Sequence, residues 1–157
     1  MYVEHYGETL SGFKNPDIFI YNLETNEIEN IGATVPAQIC FKPNSKEIVF
    51  VSYTDFLYKL GLNFMMNRAN SLRLFNIETK ELTSIEHHDS LGGCLFPKFS
   101  PDGAHLVYFG VPKGSLAHAF CMPLVIMDWE SKSSRILVDV VENFDPSFNG
   151  IYGFHNG

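Results

Sequence analysis

The chain has 157 residues, a formal net charge of −7, and 45% hydrophobic and 14% aromatic side chains. That length and apolar content support one domain with a sizeable core and exclude a disordered chain. The acid excess, with no basic run against it, speaks against a nucleic-acid or anionic-membrane partner. No apolar stretch reaches the roughly 20 residues that a membrane helix needs.

The opening MYVEHYGETLSG has neither a basic start nor an apolar core, which predicts no signal peptide. Cys40, Cys94 and Cys121 are odd in number and form no CxxC pair, and no Asn-x-Ser/Thr site occurs. Reduced thiols in a cytoplasmic protein are the simple expectation, with Cys40 a small core residue in a strand-like run.

Met1 to Pro16 is turn-rich and aperiodic. Ile18 to Leu23 then reads as a strand, Glu24 to Glu27 as a turn, and Ile28 to Ile31 as a return strand stopped by Gly32. The phrase IFIYNLETNEI (18–28) recurs as LRLFNIETKEL (72–82), and more loosely as LVIMDWESKSSRI (124–136), at nearly equal intervals. A second hairpin type lies between the copies. Pro36 to Phe41, a turn over Lys42 to Glu47 and Ile48 to Ser52 form one. Phe96 to Phe99, a turn over Ser100 to His105 and Leu106 to Gly110 form the other, with Pro101 in the place of Pro43. Each proline presets φ at about −65° for the turn, and Asn-Ser or Asp-Gly tolerates its tight corner.

Alternation of the two hairpins makes four strands per unit of about 50 residues, the signature of β-propeller blades. The expected fold is therefore all-β, with antiparallel four-stranded blades and about two and a half of them, an incomplete propeller. Residues 1–35 end one blade, 36–91 form a second, 92–147 a third, and 148–157 begin a further blade or a tail. Two insertions separate second from third strands: Tyr53 to Asn70, where Phe56, Leu60 and Phe64 suit a short helix weakened by Gly61, and the loop Val111 to Pro123. A closed propeller takes about 4–8 blades. The shortage predicts either a fragment of a longer protein, the preferred reading, or self-association of exposed sheet faces.

No reaction centre is visible. His87-His88-Asp89 is the one suggestive ligand cluster, but adjacent histidines in an extended segment point apart, so a solvated loop is expected in place of a metal site. His105 and His118 read as surface residues, and His155 falls in the final His-Asn-Gly, where fraying is expected. Glu24, Glu78 and Glu130 occupy one repeat position, which suits a turn residue better than a catalytic acid. Trp129 is expected to pack between blades, and Arg68 to bond within its own loop, with a peptide-carboxylate contact as the other option. The Gly-x-Ser-x-Gly nucleophile elbow is absent. Catalytic, cofactor-binding and metal-ligating residues are all expected to be none, and no cofactor is implied.

The stretches YKLGLNFMMNRANSLRLFNIET (58–79), FPKFSPDGAHLVYFGVP (96–112), MDWESKSSRILVDVV (127–141) and FNGIYG (148–153) resemble, in this order, the propeller repeats of the prolyl oligopeptidase family, and within it the acylaminoacyl peptidases. The Ser-Pro-Asp-Gly hairpin is common to many propellers. The combination of Leu60-Gly61, Asn67-Arg68, Asp128-Trp129 and Val138-Asp139-Val140-Val141 is more specific. The resemblance implies a propeller that precedes an α/β-hydrolase domain and filters substrates for its Ser-Asp-His triad, which releases N-acylated amino acids from short peptides. The implied partners are that C-terminal domain and short N-acylated peptides. A free-standing propeller-type interaction module is the alternative, and an autonomous metal enzyme on the histidines a distant third.

Overall fold

The computed structural model of the chain describes residues 14–54, 69–114, 121–141, 143, 146–148 and 150–151. Among the described residues ten strands follow one another: β1 (Phe19–Tyr21), β2 (Ile28–Asn30), β3 (Pro36–Phe41), β4 (Glu47–Tyr53), β5 (Asn70–Asn76), β6 (Leu82–Ile85), β7 (Leu91–Phe99), β8 (His105–Pro112), β9 (Leu124–Asp128) and β10 (Ser134–Val138). They form a β1–β2 hairpin and two four-stranded sheets, ordered β3-β4-β5-β6 and β7-β8-β9-β10, with every pairing antiparallel. The architecture is all-β, with two complete blades and the outer half of another.

The turns explain the repeats. Asn22 Oδ1 accepts the backbone N–H groups of Glu24 (2.9 Å) and Thr25 (3.2 Å). Asn76 Oδ1 does the same for Glu78 (2.9 Å) and Thr79 (3.1 Å), and Asp128 Oδ1 accepts from Ser131 (2.8 Å). One left-handed residue then closes each turn, Asn26, Lys80 or Lys132, at φ of 58°, 62° and 58°. A short side-chain acceptor substitutes for a backbone carbonyl, and the left-handed residue lets the return strand pair without splaying. Glu24, Glu78 and Glu130 lie exposed in these turns.

The proline hairpins use hydroxyls. The Ser100 hydroxyl donates to Asp102 Oδ1 (2.5 Å), which also accepts the Ala104 N–H, while His105 N–H donates to Ser100 Oγ (3.0 Å). In the other copy Glu47 N–H donates to Ser45 Oγ (3.2 Å). Gly103 in one and Asn44 in the other take positive φ.

β4 reads as an unbroken apolar run because it is covered on both sides. Ile48 and Phe50 join one core with Ile18, Ile31, Ala33 and Phe75. Val49 and Val51 point the other way and join a second core with Leu72, Leu106, Tyr108, Val125 and Met127. Successive strand residues alternate faces, so this division places the β3–β6 sheet between the β1–β2 hairpin and the β7–β10 sheet. Each such side chain, fully buried, contributes roughly 1.5–3 kcal/mol.

Some boundaries move. β7 starts at Leu91, ahead of the expected Phe96: glycines at 92 and 93 carry no strand signal, yet Leu91 and Gly93 pair with Pro112 and Val111 of β8 around a bulge at Gly92. Tyr53 and Asn70, expected in the first insertion, are opposed strand residues, and Val111 and Pro112, expected in the second, complete β8. The helix expected over Phe56, Leu60 and Phe64 lies outside the described residues. No helix among the described residues is long and apolar enough to cross a membrane.

Candidate functional site

Three side-chain hydrogen bonds cross the seam where the β7–β10 sheet meets the β3–β6 sheet. Near its inner end both first strands bulge at the same repeat position, with Gln38 and Phe96 left-handed at φ of 53° and 54°. The bulge frees the Phe96 N–H from its own ladder, and it donates to Gln38 Oε1 at 2.7 Å. Further along, Asn70 Oδ1 accepts the N–H of the fully buried Cys94, also at 2.7 Å. Gly93 makes room for this contact, since a Cβ there would stand 2.8 Å from Asn70 Oδ1.

At the turn end, Trp129 Nε1–H donates to Glu47 Oε2 at 3.3 Å, and that oxygen also accepts from Lys42 Nζ (3.0 Å) and the Ser45 hydroxyl (3.2 Å). The indole meets the Phe99 ring edge-on at 4.7 Å, with Lys132 Nζ 3.2 Å and Lys42 Nζ 5.8 Å from its centroid. Burial pushes the Glu47 carboxyl up, but the Lys42 bond and charge, with Trp129 and Ser45, outweigh it and hold it below the usual range. Burial also lowers the Lys132 ammonium, against the pull of Glu47. Trp129 thus packs between the blades as expected.

The remaining candidates do not converge on this seam. His88 Nδ1 lies 2.9 Å from Ser90 Oγ within a local turn, and its backbone N–H donates to the Tyr108 hydroxyl. His87 Nδ1 sits 3.2 Å from the His88 carbonyl oxygen. Among the described residues no three His, Cys, Asp or Glu side chains group as a metal site. His105 is half-buried beside Asp128, Ser134 and Arg135. Arg68, His118 and His155 lie outside the described residues. Cys40 and Cys94 are buried in the core, and burial raises their thiols to about 11 and about 12, so neither is a thiolate at neutral pH. Gln38, Asn70 and Glu47 were not singled out by sequence reasoning. A polar residue where the next repeat has Phe96 or Met122 was the available signal for Gln38 and Asn70; Glu47, matched by His105, gave none.

The arrangement ties two sheets together by satisfying one buried and two half-buried donors, which is what a propeller interior asks of its polar residues. Solved structures agree on the fold. TolB from Acinetobacter baumannii matches 77% of this chain and 26% of its own, with a TM-score of 0.52 at 17% identity. An oligogalacturonate lyase in complex with manganese matches 75% of this chain and 29% of its own, with a TM-score of 0.50 at 20% identity. The class is thus a β-propeller segment.

The family follows from sequence comparison. The model of the acylamino-acid-releasing enzyme N-terminal domain matches residues 1–155, and the chain belongs to that family. It is 30% identical over 158 residues to the Mus musculus acylamino-acid-releasing enzyme and 28% over 157 residues to the Homo sapiens one, each match covering 97% of this chain. The Arabidopsis thaliana enzyme is 26% identical over 176 residues, covering 95% of this chain. The chain spans 21% of the length of the two mammalian relatives and 23% of the plant one.

Proposed function

We propose that the chain is the non-catalytic propeller wall of a serine hydrolase of the acylaminoacyl-peptidase type, acting in the cytoplasm. In this reading a C-terminal α/β-hydrolase domain of the parent chain carries the triad, and the propeller gates access of short N-acylated peptides to it. The observation that carries the reading is the family match over residues 1–155. The seam supports it, because Gln38, Asn70 and Glu47 are all engaged between sheets. In the full-length parent, slackening the seam with Gln38→Ala and Asn70→Ala should raise kcat/KM for long acylated peptides relative to an acetyl-amino-acid anilide. An unchanged ratio refutes the gating role, and turnover of the anilide by the 157-residue chain alone refutes the non-catalytic one.

Removed from a parent, the same chain should self-associate. Phe19, Tyr21, Leu23 and Ile28 stand exposed together on and beside the β1–β2 hairpin, and contiguous apolar surface of this kind drives association. Sedimentation velocity tests it: a concentration-dependent increase is expected, and a monomer throughout the range counts against it.

A further inference from the structure

Two of the three bonds across the β3–β6/β7–β10 seam cannot be repeated at either neighbour. Equivalent positions follow from matching Pro43 with Pro101 in the proline hairpins, and Asn22 with Asn76 and Asp128 in the Glu-Thr hairpins. One step back, between the β1–β2 hairpin and the β3–β6 sheet, Pro36 stands in the place of Cys94 and has no N–H to donate. Pro16 stands in the place of Asn70 and offers no side-chain acceptor. Ile77 stands in the place of Trp129 and has no ring N–H. One step forward, on the outward face of the β7–β10 sheet, Phe96 and Met122 stand in the places of Gln38 and Asn70 and offer no amide oxygen, while His105, in the place of Glu47, keeps a ring nitrogen that can accept.

The hairpin is held differently. Ile18, Ile20 and Ile31 rest on Ile48, Phe50, Phe75 and Ile77. Lys80 pairs with Glu29 across the rim, but these side chains are 50% and 41% exposed, and such surface pairs add little. Arg73 stands in the place of the fully buried Val125, and its Nε is buried without a hydrogen-bond partner. A buried donor left unpaired weakens the face that carries it. A shallow cleft of about 470 Å³ already runs between hairpin and sheet, lined by Ile20, Ile28, Ile77, Glu29 and Lys80 among others.

We infer that the two complete blades move as one clasped body, and that the β1–β2 hairpin is the joint, able to lift from the Ile48–Phe50–Phe75 face while the clasped seam stays shut. The inference rests on this chain's own geometry and holds whether or not the parent's propeller gates substrate.

Native-state hydrogen exchange on the 157-residue chain tests it. The Ile31 amide is bonded to the Ile18 carbonyl within the hairpin. A two-stranded hairpin lifted from its face is only marginally stable in water, so exchange at Ile31 reports lifting. The Cys94 and Phe96 amides report the seam. One buried and one half-buried bond at about tenfold each predict exchange about 100-fold faster at Ile31 than at Cys94 and Phe96. Equal rates, or slower exchange at Ile31, overturn the inference. In the double variant Gln38→Leu, Asn70→Leu the seam amides should exchange at least about tenfold faster while Ile31 keeps its rate. Seam rates equal to the wild type overturn it too. The wild-type measurement decides alone if the variant does not fold.

Discussion

The Asn70–Cys94 bond allows a test in which two damaging substitutions should partly cancel. Asn70→Ala removes the acceptor 2.7 Å from a Cys94 N–H that is fully buried, and an orphaned buried donor costs about 1–3 kcal/mol. Taking about 2 kcal/mol, a chain of this size should melt roughly 4–8 °C lower. Gly93→Ala attacks the same amide from the other side. Its new Cβ would lie 2.8 Å from Asn70 Oδ1, 3.2 Å from Cγ and 3.3 Å from Nδ2, closer than side chains tolerate. Forcing the amide away should cost about 1–3 kcal/mol. Once Asn70 is alanine, however, the methyl has space and no bond remains to break. The double variant should therefore be about 1–2 kcal/mol more stable than the sum of the single losses. Urea unfolding of the four proteins at one low concentration measures this. Additivity within about 0.5 kcal/mol would refute the picture of one amide wedged between Gly93 and Cys94.

Gly110→Ala should destabilise by about 1–3 kcal/mol, since a Cβ there would collide with the Leu91 methyl groups, and trimming Leu91 to alanine should recover part of that loss in thermal unfolding. With a disulfide-exchange reagent at about pH 8, the half-exposed Cys121 should react in the native protein, whereas Cys40 and Cys94 should react only at the rate of unfolding; three equally fast thiols would contradict their burial. Glu47 has a folded pKa below its ordinary 4.5, so its contribution to stability is complete above about pH 4.5 and drains away as pH falls further. The difference in urea midpoint between wild type and Glu47→Gln should accordingly be largest near neutral pH and shrink below pH 4.5, and a constant difference would count against the Lys42–Glu47–Trp129 arrangement.

What was legible in the sequence was what short-range chemistry decides. The turn at Asn22 through Glu27 and its two echoes are closed by bonds between near neighbours in the chain, so their residue types announce them. The proline hairpins are equally local, and together the two kinds suffice to count strands and blades. The start of β7 was missed because Gly92 and Gly93 carry no strand propensity; their place is set by partners on β8 and by Asn70. The seam residues were missed for a related reason. Gln38 and Phe96, Asn70 and Cys94, and Glu47 and Trp129 each meet from distant stretches of the chain. No periodicity within a strand encodes such pairs. Trp129 alone was anticipated there, because a large amphipathic ring directly after a strand has few other places to go.

The paired bulges at Gln38 and Phe96 have a consequence for how copies of this chain can meet. β3 and β7 are each the terminal strand of their sheet, and among the described residues one ladder edge of each has no strand partner. A flat open edge is a template on which a stray strand can zip. Here each edge is broken mid-strand by a left-handed residue, which turns its N–H and carbonyl out of line with those beside it. A strand arriving along the inner side would find only a short run of correctly spaced bonds before the pattern failed. Ordered, fibril-like growth is thereby discouraged on that side. Contact between copies is left to the broad apolar faces, where it can be soluble and reversible.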